Sequence, residues 1–256
     1  MTTPPDLPVT RQQFLAGAGL TTARLASWSV PRFRRSASAG VRRDPNVIVI
    51  MSDEHDPAVT GCYGNDLVET SNLDRLARDG ITFDNCYANS PICVPSRLSF
   101  TAGQYVSGVS AWNNDCRLAD TVPTLPRVLE QFGHEPFLIG KMHYDSDRRY
   151  GFREIGEAWT NQRDKEGTGE RRAPYATRNR SGKWTKRVRS FDTGNGSRVL
   201  SHDREVTERT VSFLDDRSEG DDPFFLLCGH LAPHFPLTVP EEYYRMYNGK
   251  TPMPDL

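Results

Sequence analysis

Hydrophobic positions come in short bursts along the chain, and their spacing switches between strand-like and helix-like. Asn46 to Met51 is a β-branched run bounded by Pro45 and by Ser52 and Asp53, the pattern of a strand buried on both faces of a parallel sheet. Ser71 is placed to cap a helix in which Leu73, Leu76 and Ala77 share one face and which Gly80 stops. Ile81 to Tyr87 then reads as a strand, Pro123 to Phe132 as a helix and Pro136 to Gly140 as the next strand. Asp203 to Leu214 is an amphipathic helix and Phe224 to Cys228 a further buried strand. Strands alternating with helices predict an α/β layered fold with a mostly parallel central sheet.

Composition narrows the function classes. The 256 residues, 36% of them hydrophobic, supply one sizeable core. Lys and Arg number 32 against 33 acids, a balance that argues against a dedicated nucleic-acid partner. The longest apolar run, Val47 to Met51, falls far short of the roughly 20 residues of a membrane-spanning helix. Cys62, Cys86, Cys93, Cys116 and Cys228 form no CxxC pair, so neither a zinc ribbon nor a dense disulfide framework is indicated; all but Cys93 read as small buried hydrophobes.

Two segments stand apart by charge. Residues 1–44 hold seven arginines against Asp6 and Asp44. Within them Thr10 to Leu15, followed by Ala16 to Leu20, is similar to a twin-arginine export signal, with Ala37, Ser38 and Ala39 before Gly40 as a cleavage site. Gln12 stands where a second arginine belongs and Arg24 interrupts the apolar stretch, so the alternative to export is a basic cytoplasmic tail. Residues 161–190 carry ten Lys or Arg against Asp164, Glu166 and Glu170 with no periodicity, and read as a surface loop: a lid for anionic substrates or a solvated insertion.

In an open parallel sheet, ligands gather beyond the carboxyl ends of the strands. The polar residues expected there are Asp53 and Glu54, the stretch Cys93 to Arg97, Lys141 with His143, and His230 with His234. Each alone has an ordinary explanation as a turn, cap or surface charge. Together, two carboxylates suit a hard divalent cation, while lysine and histidines supply positive charge and proton transfer to an anionic reacting group.

Cys93, Val94, Pro95, Ser96 and Arg97, continuing to Gly103, resemble the nucleophile motif of the formylglycine-dependent sulfatases, members of the alkaline-phosphatase-like superfamily. Further matches follow in order: Asp53; Gly61 to Asn65; Asn72 to Ala77; Gly140 to His143, which leans toward choline-sulfatase-like members; and Pro233 to Pro236. The resemblance implies a sandwich with a mostly parallel sheet flanked by helices, spanning residues 45–256 as the amino-terminal part of a sulfatase catalytic domain. It implies that a formylglycine-generating enzyme oxidises Cys93 to formylglycine, and that Asp53, Glu54 and modified Cys93 hold Ca²⁺ or Mg²⁺.

By the same resemblance, one hydroxyl of the hydrated aldehyde attacks the sulfur of a small sulfate ester, and loss of a proton from the other expels sulfate. Arg97 would fix the diol and the metal-binding carboxylates, Lys141 would neutralise sulfate oxygens, His143 would take the proton that triggers sulfate release, and His234 would protonate the leaving alcohol. Pro95 near a helix start implies bare first-turn N–H groups beside residue 93 that favour an anion. Asn113 and Asn114 are candidate sulfate contacts or turn residues. Glu54 replaces a more usual aspartate and Ala102 a more usual threonine.

Members of the family carry further metal-binding and catalytic residues beyond the last matched motif, so a complementing C-terminal segment is expected. The alternatives to a sulfuric ester hydrolase are a phosphonate monoester or phosphodiester hydrolase with the same nucleophile motif, and a catalytically incomplete remnant.

Overall fold

The computed structural model describes residues 44–145, 147–161 and 191–251; the export-like segment and the basic stretch after residue 161 lie outside the described residues. In chain order the elements are β1 (Val47–Asp53), two 3-10 turns, α1 (Ser71–Asp79), α2 (Cys93–Ala102), α3 (Leu125–Gln131), β2 (Glu135–Asp145) and β3 (Arg153–Asn161). They continue with β4 (Phe191–Thr193), α4 (Arg198–Asp215), β5 (Phe224–Pro233), β6 (Leu237–Val239) and α5 (Glu241–Tyr247). The main sheet has the order β1-β5-β2-β3 with every pairing parallel, and β4 pairs with β6 in a separate parallel ribbon.

Side-chain alternation along β5 builds a core on each face of this sheet. Phe225 and Leu227 point one way, into a cluster with Leu138 and Met142 of β2 and Val94 and Leu98 of α2. Phe224, Leu226 and Cys228 point the other way, against Val206 and Phe213 of α4. The latter helix begins where the Ser197 hydroxyl accepts the Leu200 N–H at 3.1 Å, and it buries a stripe at Val199, Val206 and Phe213. Helices therefore cover both faces of the parallel sheet, as expected for an α/β fold.

Glycines set how closely the central strands and α4 approach. Gly140 and Gly229 are partners across β2 and β5. A Cβ on Gly140 would lie 2.5 Å from Val206 Cγ2 and would strike the Gly229 carbonyl, at a φ of +83° that only glycine adopts without strain. A Cβ on Gly229 would strike the Lys141 backbone.

Several expectations are corrected. Ile81 to Tyr87 is not a strand: Ile81, Phe83 and Tyr87 are exposed, and among the described residues no strand lies alongside to complete a ladder. β1 is not buried on both faces: among the described residues it is an edge strand, and Val49 and Met51 pack inward while Ile48 and Ile50 are exposed on a face that nothing covers. Thr70, not Ser71, occupies the cap position of α1. β2 runs on past Gly140 and carries Lys141 and His143 within the strand, and β3 is a strand for which the polar sequence after Arg153 gave no signal. Cys116 and Cys228 are buried, but Cys86 is exposed and Cys62 only half-buried.

The glycine packing makes a quantitative prediction. Gly140→Ala should destabilise the chain by about 2–4 kcal/mol, combining backbone strain with overpacking. Gly133→Ala, at a φ of +87° with open space around it, should cost only about 1 kcal/mol. Urea denaturation of the two variants measures the difference.

Candidate catalytic site

β1 delivers Asp53 to the carboxyl end of the sheet, and the next residue, Glu54, turns into the left-handed region at φ 63°. That turn sends two adjacent carboxylates into different surroundings. Asp53 is buried, whereas Glu54 is exposed and meets His234, with Nε2 3.6 Å from Oε1.

Asp53 is the shared partner of two buried cations. Lys141 Nζ donates to Oδ2, and the Arg97 guanidinium lies 3.4 Å from Oδ1. Lys141 is only 1% exposed and Arg97 5%, so neither is solvated by bulk water and both depend on protein partners. Arg97 Nη1 also donates to the Lys141 carbonyl at 2.8 Å and lies 3.4 Å from the sulfurs of Met51 and Met142. Burial alone would raise the Asp53 carboxyl, but the Lys141 hydrogen bond and the charges of Lys141 and Arg97 hold it below its ordinary value. Two cations against one buried carboxylate leave a surplus positive charge, which favours an anion at this end of the sheet.

His143 faces the same charges. Burial first, and then Lys141 and Arg97, push its imidazole down to about 4, so the ring is neutral at neutral pH. Its Nδ1 is buried and makes no hydrogen bond among the described residues. A neutral ring with a free nitrogen can accept a proton. His234 also acts electrostatically on both Asp53 and His143, and its own Nδ1 donates to the Phe235 carbonyl at 2.6 Å. That bond commits one ring nitrogen and leaves Nε2, on the Glu54 side, for proton exchange.

Cys93 opens α2, and Arg97 lies four residues on, one turn further along the same helix face. The cap residue Ile92 has no side chain to offer, and Asn114 reaches across instead: the Val94 N–H donates to its Oδ1 at 3.1 Å and its Nδ2 donates to Cys93 Sγ at 3.3 Å. The row of bare N–H groups expected in this first turn is therefore largely taken up. Pro95 has none, and the Ser96 N–H donates to the Ile92 carbonyl. Asn113 has the turn role, its Oδ1 accepting the Asp115 N–H at 2.8 Å.

Asp53, Arg97, Lys141, His143, His234 and Glu54 thus fall into one set of mutual interactions, with Cys93 joined to it through α2. His230 does not. Its Nε2 is 3.4 Å from the Thr207 hydroxyl of α4, on the other face of β5. Sequence reasoning missed the two methionines around Arg97 and the capping role of Asn114, since neither follows from local spacing. As cation ligands, the oxygens of Asp53 and Glu54 fit a hard divalent ion in kind. They are only part of a shell: among the described residues no three His, Cys, Asp or Glu side chains converge.

Comparison with known proteins bears on this arrangement. The family model described as Sulfatase matches residues 45–255. An uncharacterized sulfatase, YidJ, of Escherichia coli (strain K12) is 27% identical over 206 residues, covering 79% of this chain and 41% of that protein. The N-acetylglucosamine-6-O-sulfatase of Bacteroides thetaiotaomicron is 28% identical over 190 residues, covering 74% of this chain and 31% of that protein. The chain therefore spans well under half the length of these relatives.

Among solved structures, BT4656 in complex with its substrate D-glucosamine-2-N,6-O-disulfate superposes with a TM-score of 0.59 at 25% identity, covering 83% of this chain and 39% of that one. A phosphonate monoester hydrolase of Agrobacterium radiobacter superposes with a TM-score of 0.53 at 20% identity, a likeness of fold, covering 79% of this chain and 44% of that one. A parallel sheet ending in a buried acid, a paired lysine and a cysteine-led helix, together with a family match over most of its length, places the chain in the sulfatase family.

Proposed function

We propose that this chain forms the sulfate-binding and nucleophile-bearing part of a sulfuric ester hydrolase that cleaves a sulfate monoester. The observation that carries the reading is the buried cluster of Asp53, Lys141 and Arg97, with its surplus positive charge, beside the helix that opens at Cys93. A sugar sulfate is the first substrate class to test, because the solved relative was captured with a sulfated glucosamine.

Residue 93 is proposed to become formylglycine through a formylglycine-generating enzyme; hydrated, that group supplies a hydroxyl nucleophile and, through its second hydroxyl, a route for releasing sulfate. Ca²⁺ or Mg²⁺ would be held by Asp53, Glu54 and residue 93, and would polarise the sulfate oxygens. The chain's own residues do the rest. Lys141 and Arg97 neutralise and orient the anion from a site where water competes weakly. Neutral His143 accepts the proton whose loss frees sulfate. His234, its Nδ1 committed to Phe235, delivers a proton from Nε2 to the departing alcohol oxygen. Further ligands are assigned to a complementing C-terminal segment, and residues 1–44 to export, on the basic, apolar and small-residue order of that stretch.

The direct test is co-expression with a formylglycine-generating enzyme, mass spectrometry of the peptide containing residue 93, and assay of sulfate release. An aldehyde at residue 93 with release abolished by Cys93→Ala is expected. An intact thiol with no release above the Cys93→Ala background rejects the proposal. Faster cleavage of a phosphonate ester than of the sulfate ester of the same alcohol would assign the chain to phosphonate chemistry instead.

Two further outcomes follow from the charge cluster. Asp53→Asn leaves two buried cations without their carboxylate and should lower stability by about 3 kcal/mol, most of it recovered in Asp53→Asn/Lys141→Met, read by denaturant midpoints. His143 titrates near 6.5 when unfolded and at about 4 when folded, so the unfolded chain takes up its proton first. Stability should therefore fall as pH drops from about 6.5 toward 4, and His143→Gln should flatten that part of the profile.

A further inference from the structure

We propose that Asp203 is a positioning residue for His234, holding the end of β5 in the bend that brings His234 to Asp53 and Glu54. In a regular strand, successive N–H groups point to opposite edges. At the end of β5 two consecutive N–H groups instead converge on one side chain: Leu231 donates to Asp203 Oδ1 at 2.7 Å and Ala232 to Oδ2 at 2.8 Å. The ladder is broken at the same place. β5 pairs with β2 only as far as Gly229, and its pairing with β1 jumps from Met51 opposite Gly229 to Asp53 opposite Pro233. The residue Asp203 grips is tied directly to His234, whose N–H donates to the Leu231 carbonyl at 2.9 Å.

Asp203 is itself well braced. It sits in α4, where His202 Nδ1 is 3.0 Å from its Oδ1 and where Val206, three residues on, packs against Gly140 just before Lys141. Burial would raise its carboxyl, but the His202 bond and the two strand amides hold it below its ordinary value, so it stays an anion able to accept both amides. One helix thus supports the site at two points, through Gly140 under Lys141 and through Asp203 behind His234. Asp203 touches none of the reacting groups, so its effect passes through the His234 turn. The sulfatase reading enters only in giving His234 a proton to deliver.

The test uses the full chain, co-expressed with a formylglycine-generating enzyme, and its Asp203→Asn, Asp203→Glu, His234→Ala and Thr210→Ala variants. Asp203→Asn sets an amide N–H₂ against a strand N–H. Amide exchange at Leu231, Ala232 and His234 should quicken by about tenfold or more in this variant. Asp203→Glu, which keeps the charge and both acceptors, should restore most of the protection.

In turnover, Asp203→Asn should lower kcat on an alkyl or sugar sulfate by about tenfold to hundredfold, with 4-nitrophenyl sulfate changed by less than about threefold, since a nitrophenolate leaves without acid help. Added to His234→Ala, it should cause no further loss. Thr210→Ala is the control for general destabilisation. It removes bonds from the same helix to the Val206 carbonyl and Cys228 sulfur and should affect both substrates alike.

Unchanged exchange at all three amides in Asp203→Asn overturns the proposal. So does a loss that is equal on both esters, as in Thr210→Ala. If the unsubstituted chain hydrolyses neither ester, the sulfatase reading fails by itself; faster exchange at His234 in Asp203→Asn still upholds the positioning, and unchanged exchange still rejects it.

Discussion

The site depends on one buried pairing, the Asp53 carboxylate between the Lys141 ammonium and the Arg97 guanidinium. Each group comes from a different element: Asp53 from the end of β1, Lys141 from the middle of β2 and Arg97 from the second turn of α2. Removing three charges from water costs several kcal/mol per ion unless partners replace the solvent. β1, β2 and α2 must therefore meet in a narrow range of geometries for the cluster to form. The constraint runs in both directions, because the apolar cluster of Val94, Leu98, Met142 and Leu227 supplies the burial that the charges by themselves oppose.

The same pairing sets the proton chemistry around it. Burial, and then the surplus positive charge of two cations sharing one carboxylate, push the His143 imidazole down to about 4. His234 lies on the Glu54 side, its Nδ1 donating to the Phe235 carbonyl and its Nε2 3.6 Å from Glu54 Oε1. Two histidines of one site thereby sit in different electrostatic surroundings, as the proposed division into a proton acceptor and a proton donor requires.

Support for this arrangement comes from the far face of the sheet. Gly140 and Gly229 let α4 and the two central strands approach to distances that any side chain would prevent, and Asp203 of that helix ties down the bend after His230. An acid in a helix register that otherwise reads as amphipathic surface thus works on the strand opposite. His230, which the sequence groups with His234, turns to the α4 side because alternate residues of a strand face opposite ways.

The α/β alternation, the strands β1, β2 and β5, the helices α1, α3 and α4 and the family likeness were legible from the chain alone, because they rest on local spacing: β-branched runs, a Cys-x-Pro-Ser-Arg stretch, an acid after a strand. The strand expected at Ile81 to Tyr87, the full burial expected of β1 and the bare helix start expected at Cys93 failed, because each depends on what lies alongside. A ladder needs a neighbouring edge, a buried face needs a cover, and the Val94 N–H found Asn114, 20 residues away in sequence. What the sequence by itself determined is which chemical groups are available and on which kind of element each sits. Only the tertiary structure decided which of them meet and which are buried, since the strength of every charge and hydrogen bond here depends on the through-space distances and solvent exclusion that packing creates.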